Sequence, residues 1–208
     1  MNDVNILIAF YSRFGSTEAL AKAVAEGAQS DGAEVRLRRA RDIVSEEIMA
    51  KAPGWQENAH RMNELYPSPT PADAEWADGI LFGTPTRFGN VSAELKAYID
   101  SLGGLWFKGK LVGKAGSGFT STSTPHGGNE STIITMYNFM AHLGFIVVPL
   151  GYAHPAVFAA GTPYGASSVS GQNNAPPTEQ ELEVARFQGK RVTHVAKALK
   201  AAGETQTK

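Results

Sequence analysis

Apolar runs alternate with amphipathic stretches along this chain of 208 residues. The run at 4–10 reads Val-Asn-Ile-Leu-Ile-Ala-Phe, a composition typical of a strand that is buried on both faces. Shorter apolar runs predict four more strands, at 34–37, 79–83, 114–119 and 145–148. Between the strands, apolar residues recur at helical spacing in 18–30, from about 90 to 101, and in 129–142.

A last helix is predicted to begin at Thr178, because Thr178-Glu179-Gln180-Glu181 has the spacing of a capping box. Its core-facing stripe consists of Leu182, Ala185, Gly189, Val192, Ala196 and Leu199. Strands that alternate with helices predict an α/β fold with one parallel sheet and helices on both faces. We expect a single domain over 1–208 with its core at about 4–199. Two long insertions interrupt it, at about 38–75, with one short helix at 44–51, and at about 152–177.

Composition and charge exclude several function classes. The net charge of -1 provides no basic face for nucleic acid. No apolar stretch reaches about 18 residues and no signal-like leader is visible, so we expect no membrane insertion and a cytoplasmic location. The chain has no cysteine, and no histidine pair has i,i+4 spacing beside a carboxylate, so no metal site is predicted.

The loop at 11–17, Tyr-Ser-Arg-Phe-Gly-Ser-Thr, carries the strongest chemical signal in the sequence. It joins the first strand to the first helix, whose N-terminus offers free N–H groups and the positive end of the helix dipole. Ser12, Ser16 and Thr17 add hydroxyl donors, and Gly15 allows close approach of the backbone. These features predict a pocket for a phosphate that needs no lysine or arginine.

Two more polar loops follow predicted strands. The loop at 84–90 combines turn-forming residues with Arg87 and Phe88, and the loop at 120–129 is dense in hydroxyl groups. Taken separately, the loop at 84–90 is equally well explained as a surface turn, and a loop with the composition of 120–129 is more often a solvated connection. In a parallel sheet, however, loops that leave the carboxyl ends of strands lie at one edge, where ligands bind. Three such loops therefore predict one ligand site.

Two aromatic or titratable candidates lie outside these loops. Trp106, beside Phe107, is interpreted either as part of an aromatic pair that caps the core or as a hydrophobic wall over a planar ligand. His142 comes at the end of a predicted helix, a position where histidine more often interacts with the helix dipole than acts as a catalyst.

Several sequence strings resemble a known family. Residues 12–17 resemble the phosphate loop of flavodoxin-like proteins. The string Gly-Thr-Pro-Thr-Arg-Phe-Gly-Asn at 83–90, with Gly-Gly-Leu-Trp at 103–106, Gly-Thr-Pro-Tyr-Gly-Ala at 161–166 and Ala-Arg-Phe-Gln-Gly at 185–189, is similar to the WrbA family of NAD(P)H:quinone oxidoreductases. The resemblance spans roughly 4–199. It implies a flavodoxin-like, doubly wound sheet of five parallel strands in the order 2-1-3-4-5, with bound FMN.

The resemblance also implies roles for individual residues. The FMN phosphate would be held by Ser12, Arg13, Phe14, Gly15, Ser16 and Thr17. The isoalloxazine ring would lie along Pro85, Thr86, Arg87, Phe88, Gly89 and Asn90. The other ring edge and the ribityl chain would contact Ser121, Thr122, Ser123, Thr124 and Pro125. His142 would reach the flavin as the one candidate catalytic side chain, and the substrate would contact Phe14, Phe88 and Trp106, the last of these from a neighbouring subunit.

The activity that the resemblance implies is two-electron reduction of quinones to quinols by NADH or NADPH, through FMN and in ping-pong order. A homo-oligomer, a tetramer by family likeness, is expected. A flavodoxin-type electron carrier and a regulatory or scaffold protein that binds FMN are the alternatives, and reduction of azo or nitro compounds would use the same site. The sequence departs from the family in having Phe14 where some members have tyrosine, one added residue in the third loop, and a longer segment at 38–75.

Overall fold

The computed structural model describes residues 4–203, which are built around a parallel β-sheet. The strands are β1 Asn5–Phe10, β2 Glu34–Arg39, β3 Gly79–Pro85, β4 Ala115–Thr122, β5 Ile146–Val147 and β6 Ser167–Val169. The main path runs β2-β1-β3-β4-β5 and all its pairings are parallel, so the predicted flavodoxin-like strand order is confirmed. The carboxyl ends of β1, β3 and β4 therefore lie side by side.

The outer edge of β4 is divided between two short strands. β5 pairs only with Ala115 and Gly116 at the start of β4, whereas β6 pairs with 120–122 at its end. Five strands are predicted from the sequence, and β6 is an addition because three residues, Ser-Ser-Val, are too few for a recognisable alternation. The consequence for the site is that β6 brings the segment after Val169 to the carboxyl edge of the sheet.

Helices cover both faces of the sheet. They are α1 Ser16–Ser30, α2 Glu46–Met49, α3 Trp55–Leu65, α4 Pro71–Trp76, α5 Ala93–Ser101, α6 Gly103–Phe107, α7 Asn129–Leu143, α8 Pro155–Ala159 and α9 Glu179–Ala202. Side chains of β1 alternate between two cores: Ile6 and Ile8 pack with α1 and α9, whereas Leu7 and Ala9 pack with α4, α5 and α7. The capping box predicted at Thr178 is present at the start of α9.

The insertion at 38–75 contains more structure than the one short helix predicted there. Helix α2 lies within the predicted 44–51, but α3 and α4 follow it. The apolar face of α3 consists of Trp55, Ala59 and Met62, whose i, i+4, i+7 spacing is a helical signal among otherwise polar residues. Trp55 and Ala59 form a small separate cluster with Met49, against which Phe14 of the first loop packs. The insertion is thus joined to the predicted phosphate loop.

Close packing of α1 against α9 provides a test of the fold. An ideal Cβ on Gly189 would lie 2.0 Å from the carbonyl oxygen of Val24, so we expect Gly189→Ala to force the helices apart. Overpacking of this kind lowers the free energy of unfolding by about 1–3 kcal/mol, measurable by chemical denaturation. Lys190→Ala, at an exposed position of the same helix, is the matched control and should unfold like the wild type. Equal stability of Gly189→Ala and the control would contradict this packing.

Candidate functional site

The three loops predicted to form a ligand site meet in one cleft of about 180 Å³ at the carboxyl edge of the sheet. The predicted residues that line it are Ser12, Arg13, Phe14, Ser16, Thr17, Pro85, Thr86, Arg87, Ser121, Thr122 and Ser123. Ser170 and Asn174 complete the lining. Hydroxyl groups and two guanidinium groups dominate its surface, so the cleft is suited to a polar, anionic ligand.

The first loop leads into α1 through a left-handed glycine. Gly15 has φ +104°, which strains any residue with a side chain, and its N–H donates to Ser12 Oγ at 3.1 Å. The amides of Ser16 and Thr17 lie in the first turn of α1, where they have no acceptor within the helix. Thr17 Oγ1 lies 2.8 Å from Ser121 Oγ, which links the first and third loops. The arrangement presents unpaired donors to an anion.

Hydroxyl groups at the ends of β3 and β4, where the sequence predicts the second and third loops to begin, fix the shape of the cleft. Thr120 Oγ1 donates to the Thr84 carbonyl oxygen at 2.7 Å, and Thr86 Oγ1 lies 2.8 Å from Thr132 Oγ1 of α7. Thr122 Oγ1 lies 3.1 Å from Asn129 Oδ1. Several hydroxyl groups that would contact water in a solvated turn are therefore bonded within the protein. These bonds hold the loops together through β4 and the first turn of α7.

The second loop ends in a tight turn with a strained residue at its tip. Arg87 and Asn90 exchange backbone hydrogen bonds of 2.9 and 3.1 Å, and Phe88 between them has φ +55°. A bulky side chain rarely adopts this left-handed conformation, and such outliers cluster at ligand sites. The Phe88 ring is fully exposed to solvent. The turn holds an aromatic face available to a planar partner.

A buried ion pair connects the insertion to the first loop. Arg39 is completely buried and donates to the Ser12 carbonyl oxygen at 3.0 Å and to Asp42 Oδ2 at 2.7 Å. Asp42 Oδ1 also accepts from Tyr11 Oη and Trp55 Nε1, each at 2.7 Å. Burial alone would raise the pKa of Asp42, but the hydrogen bonds from Arg39 and Tyr11 outweigh it and hold that pKa below its ordinary value. Asp42 is therefore a carboxylate that fixes the loop.

A second pair ties the start of α1 to α3. Glu18, in the first turn of α1, accepts from Arg61 Nη1 at 3.0 Å and from Tyr66 Oη at 2.9 Å. Burial acts to raise the pKa of Glu18, and the bonds from Arg61 and Tyr66 lower it on balance. The charge of Glu18 is thus directed to α3 and partly neutralised, which leaves the helix N-terminus able to receive another anion.

Two arginines line the cleft without a carboxylate partner. Within residues 4–203, neither Arg13 nor Arg87 forms an ion pair, and the Arg87 guanidinium donates only to the carbonyl oxygen of Thr86. The Arg13 guanidinium carbon Cζ lies over the ring of Trp55, 3.5 Å from its centroid. Burial, followed by the repulsive charge of Arg87, lowers the pKa of Arg13. The two cations raise the positive potential of the cleft.

His142 and Trp106 lie together, but away from this cleft. Helix α7 starts at the cleft and ends at the opposite edge of the sheet, about 22 Å away for a helix of 15 residues. His142 is in its last turn, where its carbonyl oxygen accepts from Trp106 Nε1 at 3.1 Å. Both residues are exposed and line a separate hollow with Phe139 and Leu143. Within one chain, neither reaches the residues predicted to hold FMN.

Other predicted residues lie around the cleft rather than in its lining. Gly15 shapes the loop behind Ser12, while Gly89 and Asn90 belong to the tight turn. Pro125 lines a different hollow, formed with α8 and β6. Ser170 and Asn174 are lining residues that sequence reasoning missed. The only signal was the Gly- and Ser-rich composition of 152–177, because their position depends on the pairing of β6 with β4.

The donor set of the cleft fits FMN. Free amides and hydroxyl groups at the start of α1 match a phosphate monoester, and the Ser and Thr side chains of the third loop match a polyhydroxylated chain. Within residues 4–203, no cluster of three His, Asp or Glu side chains could hold a metal ion. Every helix in that range is too short or too polar to traverse a lipid bilayer.

Comparisons with known proteins agree with this geometry. The model of the family described as NADPH-dependent FMN reductase matches residues 4–158, well over half of the chain. A WrbA-like flavodoxin protein from Agrobacterium tumefaciens is 27% identical over 94% of this chain and 98% of its own, with a TM-score of 0.65. A flavodoxin from the domain Archaea (16% identity, 93% and 99% coverage, TM-score 0.61) shares the fold. So does flavodoxin 1 from Bacillus cereus, with 16% identity, 91% and 97% coverage and a TM-score of 0.59. The chain therefore belongs to the NADPH-dependent FMN reductase family and is a flavodoxin-like, FMN-binding oxidoreductase.

Proposed function

We propose that this protein is an FMN-dependent NAD(P)H:quinone oxidoreductase of the WrbA type. The observation that carries the proposal is the convergence of three polar loops on one cleft at the start of α1. The family match supports a flavin and a nicotinamide donor. Support for the quinone comes from the sequence strings at 83–90, 103–106 and 161–166, and from the exposed aromatic ring at the tip of the second loop.

In this proposal the first loop holds the FMN phosphate. The hydroxyls of Ser12, Ser16 and Thr17 and the free amides at the start of α1 donate to its oxygens. Pro85 to Asn90 lie along the ring, and Ser121 to Pro125 lie along the ribityl chain and the other ring edge. The ion pair between Arg39 and Asp42 keeps the Ser12 carbonyl, and with it the loop, in place before the cofactor arrives.

A bound FMN would supply the two-electron chemistry that links NADH or NADPH to a quinone. The residues of the protein orient the reactants and restrict access of water. Phe14 and Phe88 provide aromatic surfaces for flat partners. Reduction of a quinone to a quinol also consumes a proton, which an exposed histidine close to the reacting ring can supply.

That histidine would come from a second copy of the chain. Trp106 and His142 are joined by a hydrogen bond and lie on an exposed surface with Phe107, which is 83% exposed. Such a patch is typical of a subunit contact. We propose that it covers the cleft of a neighbouring copy in a homotetramer, where Trp106 would wall the quinone space and His142 would approach the flavin.

Anaerobic mixing tests the proposed activity. Protein loaded with FMN and mixed with NADH or NADPH should lose its absorbance near 450 nm, and benzoquinone should restore it without a populated semiquinone. Stopped-flow spectroscopy follows both half-reactions. If neither nucleotide bleaches the flavin, the enzyme proposal is wrong and an electron carrier or a non-catalytic FMN protein remains. Bleaching without recovery on addition of benzoquinone would reject quinones as the acceptor.

Removing the charge of Asp42 tests the loop anchor. In Asp42→Asn, residue 42 loses the negative charge that pairs with Arg39. Hydrogen bonds to charged groups contribute about 1.5–3 kcal/mol, so we expect FMN to bind about tenfold or more weakly. Fluorescence titration of the apoprotein with FMN measures this change. Asp73→Asn, which breaks the ion pairs with Arg36 and Arg38 away from the cleft, is the control and should bind FMN like the wild type. Unchanged FMN affinity in Asp42→Asn would remove the anchor from the proposal.

Mixed oligomers test the shared site. Ser12→Glu places a carboxylate against the phosphate and should empty a subunit of FMN, whereas Trp106→Ala should spare FMN but impair turnover of quinone. Coexpressed with different tags, the two variants should regain roughly one quarter of wild-type activity, because one site in four then combines two intact halves. Activity no higher than the sum of the separate variants, or an active monomer in sedimentation, would contradict a shared site.

A further inference from the structure

Arg13 is set up to bind an anion that the first loop does not account for. Within the described residues, the arginines that form ion pairs are Arg36, Arg38, Arg39, Arg61 and Arg186. Arg13 has no such partner, and its Nε is buried without an acceptor. Arg87 shares the cleft wall and also forms no salt bridge within the described residues, so two guanidinium groups face one opening without a carboxylate in contact with either.

The Arg13 side chain is held in one orientation by the insertion. Its guanidinium stacks on Trp55 at 3.5 Å from the ring centroid, and Trp55 is itself buried. The Trp55 indole N–H donates to Asp42, whose two oxygens are already shared with Tyr11 and Arg39. Asp42 therefore orients the Trp55 ring under Arg13 and forms no salt bridge with Arg13 itself. A stacked guanidinium keeps its N–H edge free for hydrogen bonds in its own plane.

In the proposed site, the FMN phosphate would have neutral donors from the first loop and the start of α1. Ser12, Ser16, Thr17 and the first amides of α1 would supply these donors without a cation. Arg13 leans on α3, on the insertion side of the loop. A ligand with a second anionic group, carried beyond the flavin seat, would bring that group between Arg13 and Arg87. The planar fork of arginine matches the paired oxygens of such a group.

We propose that Arg13, held on Trp55, together with Arg87 binds the diphosphate bridge of the nicotinamide dinucleotide. This inference rests on the proposed function, because it requires NADH or NADPH as the electron donor. Burial, and after it repulsion by Arg87, lowers the pKa of Arg13, and an anion between the two guanidinium groups would relieve that repulsion. In this proposal, helix α3 of the insertion at 38–75 supports Arg13, the residue that binds NADH or NADPH.

Comparing two hydride donors distinguishes diphosphate binding by Arg13 from a general effect of Arg13 on the flavin. NADPH carries the diphosphate, whereas 1-benzyl-1,4-dihydronicotinamide has the same reactive ring and no phosphate. In Arg13→Met we expect kcat/KM for NADPH to fall about 10–100-fold more than kcat/KM for the benzyl compound, since charge-assisted bonds to phosphate contribute about 1.5–3 kcal/mol. Trp55→Leu, which removes the ring under Arg13, should shift the ratio in the same direction by a smaller factor.

Arg191→Met is the matched control, because Arg191 donates only to the Pro149 carbonyl oxygen and lines no part of the cleft. This variant should leave unchanged the ratio of kcat/KM for NADPH to kcat/KM for the benzyl compound. A fall of equal size for both donors in Arg13→Met, or no fall for either, overturns the proposal. So does a loss of FMN affinity in Arg13→Met that accounts for the loss of rate, because Arg13 would then serve the flavin phosphate.

A binding measurement keeps this inference separate from the proposed activity. Inorganic pyrophosphate is titrated calorimetrically into the FMN-loaded wild type and into FMN-loaded Arg13→Met. We expect binding to the variant to be about tenfold weaker, and equal affinity overturns the site. If the wild type reduces no quinone in any assay, the proposed function fails, while this titration still decides whether Arg13 and Arg87 bind a diphosphate.

Discussion

The organisation of the site depends on one buried cation. Arg39 ends β2 inside the protein with no exposed surface, and an unpaired guanidinium there would cost several kcal/mol. The chain therefore returns after β2 so that Asp42 and Asn63 can accept from it, and the return places α3 beside the first loop. Arg39 also donates to the Ser12 carbonyl oxygen. The contacts that stabilise the buried charge of Arg39 therefore also fix the shape of the predicted phosphate-binding loop.

The cleft separates two ways of attracting negative charge. At the start of α1, helix amides and hydroxyl groups provide neutral donors, which bind a phosphate without formal charge. Elsewhere in the cleft lining, Arg13 and Arg87 provide formal charge that acts over a longer range. A protein with an overall charge of -1 can in this way present a local positive field where a ligand enters.

Much of the fold follows from the sequence because its signals are local. Long apolar runs identify β1 and β3, and the capping box at Thr178 identifies the start of α9. The strand order came from the family strings, since hydrophobic periodicity does not determine which parallel strands are neighbours. Helix α3 and strand β6 were missed because one is mostly polar and the other has three residues, so both depend on tertiary partners.

The site was predictable to a similar degree. Residues in the three loops could be named because parallel topology brings their strand ends together, and eleven of them line the cleft. The roles of Asp42 and Trp55 could not be anticipated, because they are defined by hydrogen bonds and stacking across an insertion without a recognisable motif. Likewise, the distance between His142 and the cleft follows from the direction of α7, which the family strings do not convey.

The divided outer edge of β4 has a consequence for solubility. A long unpaired strand at the margin of a sheet invites other chains to add to it, whereas β5 offers two residues and β6 three, separated by the segment that carries α8. Neither fragment is long enough to template a foreign strand. The same interruption that furnishes the cleft with Ser170 thus also disfavours edge-to-edge pairing on this side of the sheet.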